Sequence, residues 1–157
     1  MSSLQHSSTI TFCGIELRLF GNGSLYLPRH KILVVSDLHL EKGAAQSSAM
    51  PLPVYDTDDT LSRLEMACDD LSVKTCVFLG DSFHDAPTAF RLPKRIQLRL
   101  SALAEHCSFV WVEGNHDRSI PAFLPGESCA AFAIDGVVFS HEMTIGNKSE
   151  LDNSQSI

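Results

Sequence analysis

The chain has little with which to coat a polyanion: 12 Lys and Arg stand against 19 Asp and Glu, giving a net charge of -7. Affinity for a nucleic-acid backbone comes from cations that neutralise phosphates, so a broad basic binding face is excluded. The nine Phe, two Tyr and one Trp form no motif on which single-stranded bases could stack. The five cysteines, at positions 13, 68, 76, 107 and 129, are odd in number and form no Cys-x-x-Cys pair. They exclude a disulfide frame or thiolate zinc site and predict buried thiols in a reducing compartment. No apolar run approaches the roughly 20 residues that span a bilayer, and Met1 to Ser8 carries neither the basic nor the apolar region of a signal peptide. The expectation is a soluble, cytoplasmic protein with no membrane partner.

What is present is ordinary in bulk and specific in detail. A chain of 157 residues, 44% hydrophobic and 20% charged, is one globular domain, short for an α/β enzyme. Ile10, Phe12, Ile15, Leu17 and Leu19 alternate with polar neighbours, Gly21-Asn22-Gly23 offers turn chemistry, and Leu25 and Leu27 resume the alternation. This predicts an N-terminal antiparallel meander. Lys31 to Ser36 reads as a fully buried strand, and Gly43 to Pro53 as a loop across the mouth of a site. A helix is predicted from an N-cap at Asp56 or Thr57, because Leu61, Leu64, Cys68 and Leu71 share one face. Strand Thr75 to Leu79 follows. A second helix after Pro93 presents Ile96, Leu100, Leu103, Ala104 and Cys107, and leads to strand Phe109 to Val112. Alternating strands and helices imply a parallel sheet. Ala130 to Ile134 and Gly136 to Phe139 predict a hairpin about Asp135-Gly136. Residues 143–157 are polar and patternless and are expected to form a disordered tail outside a domain of residues 1–142.

Four of the apolar runs end in metal-binding residue types: Ser36-Asp37-Leu38-His39, Gly80-Asp81-Ser82-Phe83-His84-Asp85, Glu113-Gly114-Asn115-His116-Asp117 and Ser140-His141. Ligands of open α/β sheets collect outside the carboxyl ends of the strands, so these four ends are expected to converge. Asp37 and His39, two apart in extended backbone, would face the same side and chelate one ion. Asp81 has two oxygens with which to bridge two ions, and Asn115 and His141 would serve the second. Oxygen and imidazole donors without thiolate suit Mn, Fe or Zn. His116, on the opposite side of the chain from Asn115, would protonate the leaving oxygen, with Asp85 or His84 orienting it. Each motif alone has an everyday use as a turn or a cap. The order and the repeated strand-end position are what favour metal-assisted phosphoester hydrolysis. The basic cluster Arg91, Lys94, Arg95 and Arg99 reads first as a solvated helix face and second as a guide for a polyanion.

Asp-x-His, Gly-Asp, Gly-Asn-His-Asp and a later His, here Asp37 to His39, Gly80-Asp81, Gly114 to Asp117 and His141, resemble the motifs of the calcineurin-like metallophosphoesterases. Within them, Ser36 to Gly43, Leu52 to Thr57 and the Gly-Asp-x-Phe-His-Asp form of the second motif are similar to the bacterial ligase-associated DNA damage response phosphoesterases. The resemblance implies an α/β fold of four layers, an α-β-β-α sandwich, with two divalent metal ions, manganese first and iron or zinc as alternatives. It also implies phosphodiesterase or nuclease-type activity on phosphodiesters such as DNA, and association with a DNA ligase and a helicase. The family pattern closes with Gly-His-x-His, and here no His follows His141. A C-terminally truncated domain with an incomplete second sheet is therefore expected, whether by frameshift, by deliberate shortening or as a natural short form. Two readings follow: a two-metal phosphodiesterase, or a poorly metallated, largely inactive domain with at most a binding role.

Overall fold

A computed structural model describes Leu4 and residues 6–40, 55–83, 86–115 and 119–142. The loop expected at Gly43 to Pro53 and the tail expected at 143–157 lie outside the described residues. The N-terminal meander forms as β1 (Ser7–Phe12), β2 (Ile15–Phe20) and β3 (Leu25–Leu27), and β4 (Ile32–Val35) pairs antiparallel with β3. Helix α1 (Tyr55–Asp70) leads to β5 (Thr75–Leu79), and the helices α2 (Ala86–Phe90) and α3 (Lys94–Ala104) lead to β6 (Ser108–Val112). A short strand β7 (Glu127–Cys129) then adds to the edge. The result is one seven-stranded sheet in the order β1 to β7, antiparallel from β1 to β4 and parallel from β4 to β7. A separate two-stranded sheet is built from β8 (Phe132–Ile134) and β9 (Val137–Phe139).

The period-2 rule distributes the buried strands between two cores. Leu33, Cys76, Phe78, Phe109 and Trp111 face the helices and meet Leu61, Leu64, Ile96, Leu100 and Leu103. Ile32, Val34, Val77 and Val112 face the other way, where Phe132, Ile134, Val137 and Phe139 of the hairpin cover them. Among the described residues, helices, large sheet and small sheet are thus three successive layers of the expected mixed α/β fold. Among the described residues the second sheet consists of β8 and β9 alone. The hairpin turn falls where the sequence placed it: Asp135 and Gly136 both have positive φ, 48° and 78°, as a type I′ turn requires.

Several boundaries and roles differ from expectation. α1 begins at Tyr55, so neither Asp56 nor Thr57 is its cap, and Cys107 lies three residues beyond the end of α3. The short helix α2 and strand β7 carry no periodic apolar signal; β7 exists because β6 offers it a backbone edge, with Glu113 N donating to Cys129 O at 3.0 Å. Cys13 is exposed, whereas Cys68, Cys76 and Cys107 are buried as predicted. Nε2 of His30 lies 2.7 Å from Asp135 Oδ2, tying the β3–β4 turn to the tip of the β8–β9 hairpin. Arg99 grips α1 instead of solvent. It donates to Glu65 Oε1 and Oε2 at 2.9 and 2.7 Å, to Asp58 Oδ1 at 3.1 Å and to Ser62 Oγ at 2.9 Å. Arg95 lies 3.6 Å from Asp58, so half of the basic cluster holds two helices together.

Candidate metal centre

The carboxyl ends of β4, β5 and β6 lie side by side, and two of the loops that leave them are zipped together. Asp37 N donates to Gly80 O at 3.2 Å, His39 N to Asp81 O at 3.0 Å and Leu40 N to Ser82 O at 2.9 Å. Phe83, fully buried, lies 5.6 Å from Trp111, which in turn stacks on Phe78 at 4.0 Å. The aromatic cluster therefore pins the loop that carries Asp81. Burial of each such ring contributes roughly 1.5–3 kcal/mol, which fixes the loop before any ligand binds.

Asp37, His39 and Asp81 all have positive φ, 53°, 44° and 50°. The expectation that Asp37 and His39 share a side because the backbone is extended is thereby corrected: β4 ends at Val35, and left-handed turns aim both side chains. Such conformations cost non-glycine residues about 1–3 kcal/mol each and persist only where the surroundings impose them, a pattern that clusters at functional sites. The result is close approach. His39 Nε2 is 3.9 Å from Asp37 Oδ1, and Ser36 Oγ donates to Asp37 Oδ2 at 2.5 Å.

His141 arrives from the other sheet, two residues past β9. Its Nδ1 lies 3.0 Å from Leu79 O; a carbonyl only accepts, so Nδ1 carries the proton and Nε2 presents its lone pair, 3.4 Å from Asp81 Oδ2. Gly80 makes this possible. Its φ is +75°, and a Cβ there would sit 2.6 Å from His141 Cβ and closer still to the ring. Asn115, assigned from its partners, turns its amide nitrogen to Asp81 Oδ2 and Oδ1 at 2.8 and 2.9 Å, with His141 Nε2 at 3.3 Å.

Asp37, Asp81 and His141 each place one ligand atom within 4.8 Å of the others. Asp81 is 4% exposed whereas Asp37 is open to solvent, so two carboxylates and an imidazole face one another around a point that is buried on one side and reachable from the other. That donor set fits a hard or borderline divalent cation. Of the five residues expected as ligands, Asp37, Asp81 and His141 meet within one ion's reach, Asn115 lies against Asp81 and His141, and His39 lies 3.9 Å from Asp37. His116 and Asp85, expected as acid and orienting carboxylate, lie outside the described residues. Sequence reasoning missed Ser36 and the Leu79 carbonyl, because neither a lone serine nor a backbone oxygen carries a signal before the sheets are stacked.

The sequence matches the family model of the calcineurin-like phosphoesterases over residues 30–152. No curated protein matches it. Among solved structures, the nuclease MPE of Pseudomonas putida is similar in fold, with a TM-score of 0.62 and 24% identity over 79% of this chain and 59% of that one. The chain thus spans well under two thirds of that nuclease. No helix among the described residues is long and apolar enough to cross a membrane. With the family match running over most of the chain and across every strand that feeds the metal centre, the protein belongs to the calcineurin-like phosphoesterase family.

Proposed function

We propose that this chain is a metal-dependent phosphodiesterase, with Asp37 and His39 holding one divalent ion, Asn115 and His141 a second, and Asp81 bridging the two. The observation that carries this is the buried Asp81 carboxylate facing Asp37 on one side and His141 on the other. Divalent ions held there, manganese foremost and iron or zinc as alternatives, would supply Lewis acidity toward the phosphoryl oxygens and toward water. The protein's own groups do the rest. The Leu79 carbonyl takes up Nδ1 of His141, so Nε2 is the ring nitrogen turned toward a ligand. The Ser36 hydroxyl takes up one Asp37 oxygen and leaves the other for a ligand. His116, next to Asn115 in the chain, delivers a proton to the leaving oxygen, oriented by Asp85.

The substrate class is a phosphodiester, DNA among the candidates, in line with the nuclease of similar fold. We place the protein in DNA repair beside a DNA ligase and a helicase, in the cytoplasm, on the resemblance of its motifs to the ligase-associated phosphoesterases. One observation supports a second reading, a poorly metallated domain of low activity: among the described residues, three acidic or imidazole donors meet within one ion's reach. Manganese-dependent hydrolysis of bis(p-nitrophenyl) phosphate, with Asp81→Asn run beside it, separates the two. Turnover that disappears in the variant supports the enzyme. Equal, background turnover in both proteins, with one ion or less bound per chain, establishes the second reading.

A further inference from the structure

We propose that the cavity beside Asp37 and His39 is a pocket for one nucleoside of the substrate, an inference that rests on the phosphodiesterase reading and adds to it the identity of one ester substituent. The cavity has a volume of about 500 Å³ and lies between the β2–β3 turn, the end of β4 and α1. That volume is in the range of about 300–1,000 Å³ that accommodates one small organic molecule, and it is too small for a duplex. Its wall includes Asp37 and His39 themselves. A phosphorus held at the metal centre therefore projects one of its two ester groups directly into it.

The lining has the two-part character of a site for a flat, partly polar ring. Leu33, Leu38, Leu64 and Ala67 give an apolar floor, and Leu33, Leu64 and Ala67 are buried members of the main core, so the floor is rigid. Asn22, Thr60 and Arg63 give a polar rim. The rim favours an acceptor-bearing ring. Asn22 spends its Oδ1 on Ser24 N at 3.0 Å and Ser24 Oγ at 2.7 Å, which leaves its amide nitrogen as a donor. Arg63 lays Nη2 on Asp59 Oδ2 at 2.7 Å, which steadies a guanidinium whose other N–H groups are donors only. Ser36 gives its proton to Asp37. Donors over an apolar floor match a nucleobase with ring carbonyls, such as a pyrimidine.

Two esters with the same leaving group test this: thymidine 5′-(p-nitrophenyl) phosphate and methyl p-nitrophenyl phosphate. The wild type is expected to prefer the thymidine ester at least tenfold in kcat/KM, mainly through KM. Thr60→Trp, which fills the cavity, and Arg63→Ala, at a half-exposed position that leaves folding intact, are expected to erase most of that preference while the methyl ester is hydrolysed as before. Equal handling of the two esters by the wild type, or a preference that survives both variants, overturns the pocket. If neither ester is hydrolysed with manganese, the phosphodiesterase reading is what has failed. The pocket is then read by thymidine binding measured calorimetrically: binding that Thr60→Trp abolishes and Asp81→Asn leaves intact upholds it, and no binding overturns it.

Discussion

Replacing Gly80 by Ala tests how the two sheets are coupled at the metal centre. Two costs are separable. A non-glycine residue at a φ of +75° loses about 1–2 kcal/mol to steric conflict with its own backbone. The new Cβ would also stand 2.6 Å or less from three atoms of His141. The imidazole must therefore swing away and give up its bond to Leu79 O, worth about 0.5–1.5 kcal/mol. The sum, about 1.5–3.5 kcal/mol, corresponds to roughly 3–14 °C in Tm for a domain of this size. With His141 displaced, manganese affinity is expected to fall on the order of 10–100-fold, the scale of losing a group that orients a ligand. The assay is a double-mutant cycle: Gly80→Ala, His141→Gly and the pair, each by thermal melt and by manganese titration. Glycine at 141 also removes the Cβ that would stand 2.6 Å away, so in the His141→Gly background only the backbone cost should remain, and Gly80→Ala should no longer change metal affinity. An identical melting loss in both backgrounds, together with unchanged manganese affinity, refutes the coupling.

Two further outcomes concern the scaffold. Arg99→Ala removes a bidentate, partly buried bridge between α1 and α3 and should cost about 1–2 kcal/mol by urea unfolding, more than the 0–1 kcal/mol of an exposed pair; a loss below about 0.3 kcal/mol would place the Arg99 network among surface pairs of no consequence. The hydrogen bond with Cys68, and then burial, push the Cys107 thiol above its ordinary value of 9.0. The folded state then keeps a proton that the unfolded chain has released, so this contribution to stability is whole below a pH of about 9 and shrinks as pH rises above it. The urea midpoint should fall between about pH 9 and pH 10.5, and fall less in Cys107→Ala; parallel curves for the two proteins would contradict this.

Sequence by itself determined the strands β4, β5 and β6, the long helices α1 and α3 between them and the residue types at their ends, because buried apolar runs and helical periodicity are local signals. Asp135-Gly136 dictated its turn for the same reason, since few dipeptides accept two positive φ values. Tertiary structure alone decided what those ends do. That Asp37 and His39 act from left-handed turns, that Gly80 must lack a Cβ to admit His141, and that Leu79 O fixes the tautomer of a ring 62 residues away all depend on two sheets stacked in one register. β7 and the cavity under Asn22 and Arg63 were invisible for a related reason. The first is a polar segment made a strand by its neighbour's free edge, and the second is a space between three elements that no single stretch of chain encodes.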